Sequence, residues 1–112
     1  MQNSNKINTY IGFSVKSGQI IYGIDTLIET RKHVKLILQC SSLAQNSAQK
    51  IDEFAKSRNV PVVVMKDVLL EDIVHKKNCK VIGLLNKNLA QAVLSAVQEW
   101  TDSPKGGDKY GK

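Results

Sequence analysis

Three short apolar runs constrain this chain more than anything else in it. Val34-Lys35-Leu36-Ile37-Leu38-Gln39-Cys40, Val60-Pro61-Val62-Val63-Val64-Met65 and Lys80-Val81-Ile82-Gly83-Leu84-Leu85 are each nearly apolar throughout. A strand exposed on one side alternates apolar with polar residues; a strand that does not alternate has both faces covered. Between the runs lie longer segments with apolar residues at helical spacing. Ala44, Ala48, Ile51, Phe54 and Ala55 form one such stripe, and Leu89, Val93, Ala96, Val97 and Trp100 another. A central sheet flanked by helices on both faces follows from this pattern.

The N-terminal third adds one more strand. Ile7, Tyr10, Ile11, Ser14 and Val15 fit one face of a helix from Lys6 to Ser17, with residues 1–5 frayed and Gly18 as the stop. Gln19-Ile20-Ile21-Tyr22 is then bracketed by Gly18 and Gly23 and reads as a short strand. Ile24, Leu27 and Ile28 continue as a helix that ends near Arg31-Lys32-His33, where basic residues suit the negative end of the helix dipole. Ser41 or Ser42 caps the third helix, and Asp67 caps a fourth carrying Leu69, Leu70, Ile73 and Val74. That helix fades in His75-Lys76-Lys77-Asn78, and Asn86 or Asn88 caps the last. The expected fold is a three-layer α/β/α sandwich with a central sheet of about four strands, one domain over residues 1–102 and a flexible basic tail over 103–112. Tyr10, Phe13, Phe54 and Trp100 lie on helical stripes and are read as core side chains.

Charge narrows the partner. The chain carries a net +6, of which Lys105, Lys109 and Lys112 against Asp108 supply +2 in the tail. A modestly basic domain suits a polyanion, RNA most simply. No run approaches the roughly 20 apolar residues of a membrane span, and Met1–Lys6 lacks the apolar stretch of a signal peptide. A cytoplasmic protein is expected. Cys40 and Cys79 are widely separated, and with His33 and His75 they show no metal-ligand spacing, so buried thiols and no metal are expected. Catalysis finds little support. Cys40 stands between a strand and a helix, where a thiolate can be stabilised, but the following residues lack the arginine of a phosphatase loop. No triad, nucleotide loop or dinucleotide fingerprint is present. A non-catalytic protein without cofactor is expected.

The strand–glycine–helix corner at Gly18–Glu29 can receive an anion at the helix start; glycine can equally serve there only to reverse the chain. Here a resemblance enters. Ile11-Gly12-Phe13-Ser14, then Lys16-Ser17-Gly18-Gln19-Ile20-Ile21-Tyr22-Gly23, then Val34–Leu38 with Ser41–Ser47, then Val60-Pro61-Val62 and Leu89-Ala90 resemble, in order and spacing, the kink-turn RNA-binding ribosomal-protein superfamily. The archaeal large-subunit protein "L seven Ae" typifies it, and the bacterial YlxQ-like branch is the part most similar. The likeness spans about residues 7–98 and implies the same α/β/α fold.

The resemblance further implies a monomer that binds structured RNA, ribosomal RNA among the candidates, through a Gly-x-Asn-Glu-x-x-Lys motif opening the second helix. Asn and Glu there read guanine edges and Lys reaches base and phosphate. In this chain Gly23 matches, Asp25 stands for Asn, Thr26 for Glu and Glu29 for Lys. Lys16, Gly23, Asp25, Thr26, Arg31 and Lys32 are the expected RNA-binding residues. Glu29 puts a negative charge where the family presents a cation. In a second RNA-facing segment, Leu70-Glu71-Asp72-Ile73-Val74-His75, Glu71 and His75 replace glycines. The motif is eroded, and the alternative is a protein-interaction module on the same fold that has lost specific RNA binding.

Overall fold

The computed structural model describes the backbone of residues 2–65, 70–77 and 79–101, with side chains for 6–65, 70–71, 73–77 and 79–97. Elements follow in the order α1 (Gln2–Ser17), β1 (Ile20–Tyr22), α2 (Ile24–Glu29), β2 (Leu36–Cys40), α3 (Gln45–Arg58), β3 (Val62–Met65), α4 (Leu70–Val74), β4 (Val81–Leu84) and α5 (Lys87–Thr101). The expectations for Asp67, Leu69, the Trp100 side chain and the 103–112 tail lie outside what is described.

Four strands form one sheet in the order β1-β4-β2-β3. β4 runs antiparallel to both neighbours, with Tyr22 opposite Ile82 and Leu38 opposite Ile82, while β2 and β3 are parallel. Alternate side chains of a strand point to opposite faces, and the buried residues divide accordingly. Leu36, Leu38, Cys40, Ile82 and Leu84 face a cluster completed by Ile7 and Ile11 of α1, Leu70 and Val74 of α4, and Val93 and Val97 of α5. Ile21, Ile37 and Val81 face the opposite way, onto Leu27 of α2 and Ile51, Phe54 and Ala55 of α3. The expected α/β/α layering with four strands is what the chain adopts, and every residue of β2 is buried because helices cover it above and below.

Several local expectations are corrected. α1 begins at Gln2 rather than Lys6. It ends as expected at Gly18, whose φ of 74° and whose N–H to Val15 O (3.1 Å), with Gln19 N–H to Ser14 O (3.1 Å), form the left-handed helix stop. α2 ends at Glu29, capped by Thr30 in extended conformation, so Arg31, Lys32 and His33 lie beyond it and do not complement its dipole. α3 starts after Ala44, with no side-chain cap. Ser41 and Ser42 instead occupy a turn closed by Leu43 N–H to Cys40 O at 3.1 Å. Asn86, not Asn88, caps α5, its Oδ1 accepting the Leu89 N–H at 2.9 Å.

Two side chains break the core expectation. Phe13 on α1 is 50% exposed, and Val64 on the edge strand β3 is 44% exposed. In α1 the buried positions are Ile7, Ile11 and Ser14, and Phe13 falls two residues round from Ile11 and away from the sheet. On β3 the α3-side residues Val62 and Val64 are half-buried and exposed, while Val63 and Met65 on the other face are buried.

Candidate nucleic-acid interface

Gly23 joins β1 to α2 with φ 85° and ψ 155°, a backbone region that side-chain-bearing residues essentially never enter. Its N–H donates to Val81 O at 3.0 Å and its carbonyl accepts from Leu27 N–H at 3.1 Å, so the corner is anchored to β4 on one side and to α2 on the other. A Cβ built at Gly23 meets nothing within 4 Å. Glycine is therefore required by backbone conformation rather than by crowding, and the space above it is open.

The helix that follows has six residues, under two turns, so its dipole is small. Asp25 sits in its first turn and already offers a negative charge to the N–H groups there. The anion corner expected from glycine spacing is accordingly weak by itself. Asp25, Thr26 and Glu29 are all exposed. Leu27 holds the helix down, fully buried over Gly83, where an added Cβ would come 2.7 Å from Leu27 Cδ1 and 3.2 Å from Val34 Cγ1. Glycine in mid-strand is what lets α2 lie this close to the sheet.

The antiparallel pairing of β1 with β4 brings a second segment to the same end of the sheet, residues 75–77 and 79–80 before β4. His75 adopts φ 59° and ends α4 in left-handed conformation, with Lys76 N–H reaching Glu71 O at 3.2 Å. Lys76 Nζ lies 4.8 Å from the centroid of the Tyr22 ring, a cation–π contact that ties this turn to β1. His75, Lys76, Lys77 and Lys80 are exposed. An open cavity of about 580 Å³ is lined by Glu71, His75, Lys76 and Lys77. Beneath them Cys79 is buried, its Sγ donating to Val81 O at 3.5 Å. Burial pushes the Cys79 thiol up from its ordinary value, while the backbone of Val81 and Gly23 pulls it the other way. Burial, then the neighbouring Cys79, raises the Tyr22 phenol as well.

The expected RNA-binding residues separate into two groups. Gly23, Asp25 and Thr26 sit at the Val81 end of β4. Arg31 and Lys32 follow the far end of α2, on a connector that reaches Leu84 through Lys35 N–H to Leu84 O at 2.7 Å. Lys16 is exposed in the last turn of α1, near Gln19, which takes a 2.8 Å bond from Asn86 Nδ2. These three cations are not part of the glycine corner. The cations that are, Lys76, Lys77 and Lys80, were missed from sequence. The run His75-Lys76-Lys77 was the available signal, but only the strand pairing and the Lys76–Tyr22 contact show that it stands at the Gly23 end of the sheet, on the face opposite α2.

No protein-family model matches the chain, and no curated protein matches it in sequence. Solved structures match it in fold, and one of them covers most of the chain. It is described as a protein with unknown function from Bacillus halodurans C, and it superposes with a TM-score of 0.75 at 18% identity over 82% of this chain and 96% of that one. At that identity the likeness shows a shared fold, the α/β sandwich described above. Among the described residues no group of histidine, cysteine and acidic side chains could hold a metal ion, and no helix is long and apolar enough to cross a membrane.

Proposed function

We propose that this chain is a non-catalytic RNA-binding protein of the kink-turn-reading ribosomal-protein type, cytoplasmic and monomeric, working with an eroded form of that family's motif. The observation that carries the reading is the juxtaposition of Gly23, open above its Cα, with the lysine-bearing 75–80 turn held against it by the Lys76–Tyr22 contact. Glu29 takes away the motif's cation; Lys76 and Lys77 supply positive charge at the Gly23 end of the sheet from another part of the chain. Asp25 accepts from a guanine N–H, Thr26 supplies one hydroxyl contact, and the lysines meet the flanking phosphates.

A second reading, a protein-interaction module on the same surface, is favoured by Asp25 and Glu29. They stand four residues apart on α2, both exposed, and present two like charges on one helical face.

Titrating the purified protein with a kink-turn RNA and with an unstructured RNA of equal length, at two salt concentrations, separates the two. Preference for the kink-turn that persists at the higher salt is expected. Equal, weak binding that vanishes with salt would leave only unspecific charge attraction and favour the protein-partner reading.

A further inference from the structure

Among the described residues the most one-sided charge is not at the glycine corner but at the opposite end of the sheet. Four links gather it there. Arg58 of α3 donates from Nη2 to Thr30 O at 3.0 Å, which fixes it beside the connector carrying Arg31 and Lys32. Lys32 N–H bonds Thr30 Oγ1 at 3.2 Å, curling that connector. Lys35 is tied to the end of β4 by its N–H to Leu84 O. Lys35 and Lys87 then line one open cavity of about 320 Å³ whose walls include Pro61, Gln91 and Leu94. Arg31, Lys32, Lys35, Arg58 and Lys87 are all exposed. Of the acids among the described residues, Glu29 precedes the connector, and Asp52 of α3, which lines a cavity with Pro61, is paired with Lys56 at 3.1 Å. At the glycine corner, by contrast, Asp25 and Glu71 accompany the lysines.

We propose that this end is a second RNA surface, taking the phosphate backbone of a single-stranded segment on Lys35 and Lys87 with one unpaired base laid on Pro61 and Leu94. The proposal rests on the RNA-binding reading. Its chemistry is that of single-strand recognition through cations along the backbone, with Pro61 and Leu94 giving a base face apolar contact in place of an aromatic platform. Gln91, exposed beside them, offers an amide to the base edge. The two surfaces are separated by the four-residue length of β4, about 14 Å of strand. A structured element at one end and its single-stranded flank at the other can therefore be held at once, and the net charge of the domain finds a use that the corner alone does not give it.

The test compares wild type, the pair Lys35→Glu with Lys87→Glu, and the pair Lys76→Glu with Lys77→Glu. Each is titrated by fluorescence anisotropy with a labelled unstructured single strand and with a kink-turn RNA, at 50 and 200 mM salt. Single strands release about 0.7 counterion per neutralised phosphate. Losing two contacts should therefore lower the salt slope by about 1.4, so the fourfold rise in salt costs wild type about sevenfold more affinity than it costs the Lys35/Lys87 variant. The Lys76/Lys77 variant should keep the wild-type slope on the single strand while losing preference for the kink-turn. The milder pair Lys35→Gln with Lys87→Gln should move the slope in the same direction, which guards against a folding defect in the reversals. An unchanged slope in the Lys35 and Lys87 variants, with the kink-turn preference of wild type intact, overturns the second surface and leaves the functional reading standing. Failure of wild type to bind either RNA overturns both.

Discussion

Replacing Gly23 with alanine isolates backbone conformation from packing. At φ 85° and ψ 155° an L-residue is strained by roughly 1–3 kcal/mol, yet the new methyl would meet nothing within 4 Å. Steric crowding therefore contributes nothing, and the whole penalty comes from the dihedral angles. The chain cannot relax freely to avoid it. Gly23 is clamped by its N–H to Val81 O and by Leu27 N–H to its carbonyl, and rotating out of the strained region gives up one or both of these bonds at about 0.5–1.5 kcal/mol each. Alanine also narrows the unfolded ensemble, which returns about 0.4–1 kcal/mol. A net loss of about 1–2 kcal/mol is expected. For a domain near 100 residues that lowers Tm by about 4–16 °C. Urea unfolding followed by circular dichroism reads it as a fall in midpoint with unchanged m. A midpoint equal to wild type or higher would mean that Gly23 does not hold this conformation, and the corner built on it would have to be abandoned.

Gly83→Ala tests the close seat of α2 differently, since its Cβ meets Leu27 Cδ1 at 2.7 Å; with Leu27 fully buried, overpacking of about 1–3 kcal/mol is expected in the same urea assay. Asn86→Ala removes the α5 cap and should cost about 1 kcal/mol, with Asn88→Ala near neutral as the contrast. Cys79 gives a pH signature. Because burial holds its thiol above the ordinary value, the folded state keeps a proton that the unfolded chain gives up, and stability should decline as pH rises past about 8.5. Cys79→Ala should remove that part of the decline when unfolding midpoints at pH 7 and 9.5 are compared.

The order of elements was legible because the strands and helices of this chain advertise themselves locally. Non-alternating apolar runs gave β2, β3 and β4, and 3.6-residue stripes gave the faces of α1, α3 and α5. Errors arose where tertiary context outweighs local signal. Phe13 matches a helical stripe in composition but lies outside the arc that Ile7, Ile11 and Ser14 bury. The short α2 was overextended because Arg31 and Lys32 are acceptable helix residues, and nothing local shows that Thr30 turns extended. Serines 41 and 42 are good caps in general, yet the turn closed on Cys40 uses them before the helix begins. Least legible was the site. Gly23 stood out, but Lys76 and Lys77 reach it across a sequence separation that only the β1–β4 pairing closes. The gathering of Lys35, Arg58 and Lys87 at one sheet end depends likewise on contacts between α3, α5 and the 30–35 connector.

The central claim is that the Gly23 corner and the lysine turn beside it form one RNA-reading surface. The most direct measurement is an amide chemical-shift map of the labelled protein titrated with a kink-turn RNA. The account predicts the largest changes at Gly23, Asp25 and Thr26 together with Lys76, Lys77 and Lys80. Saturable binding of that RNA with these amides unmoved would contradict it.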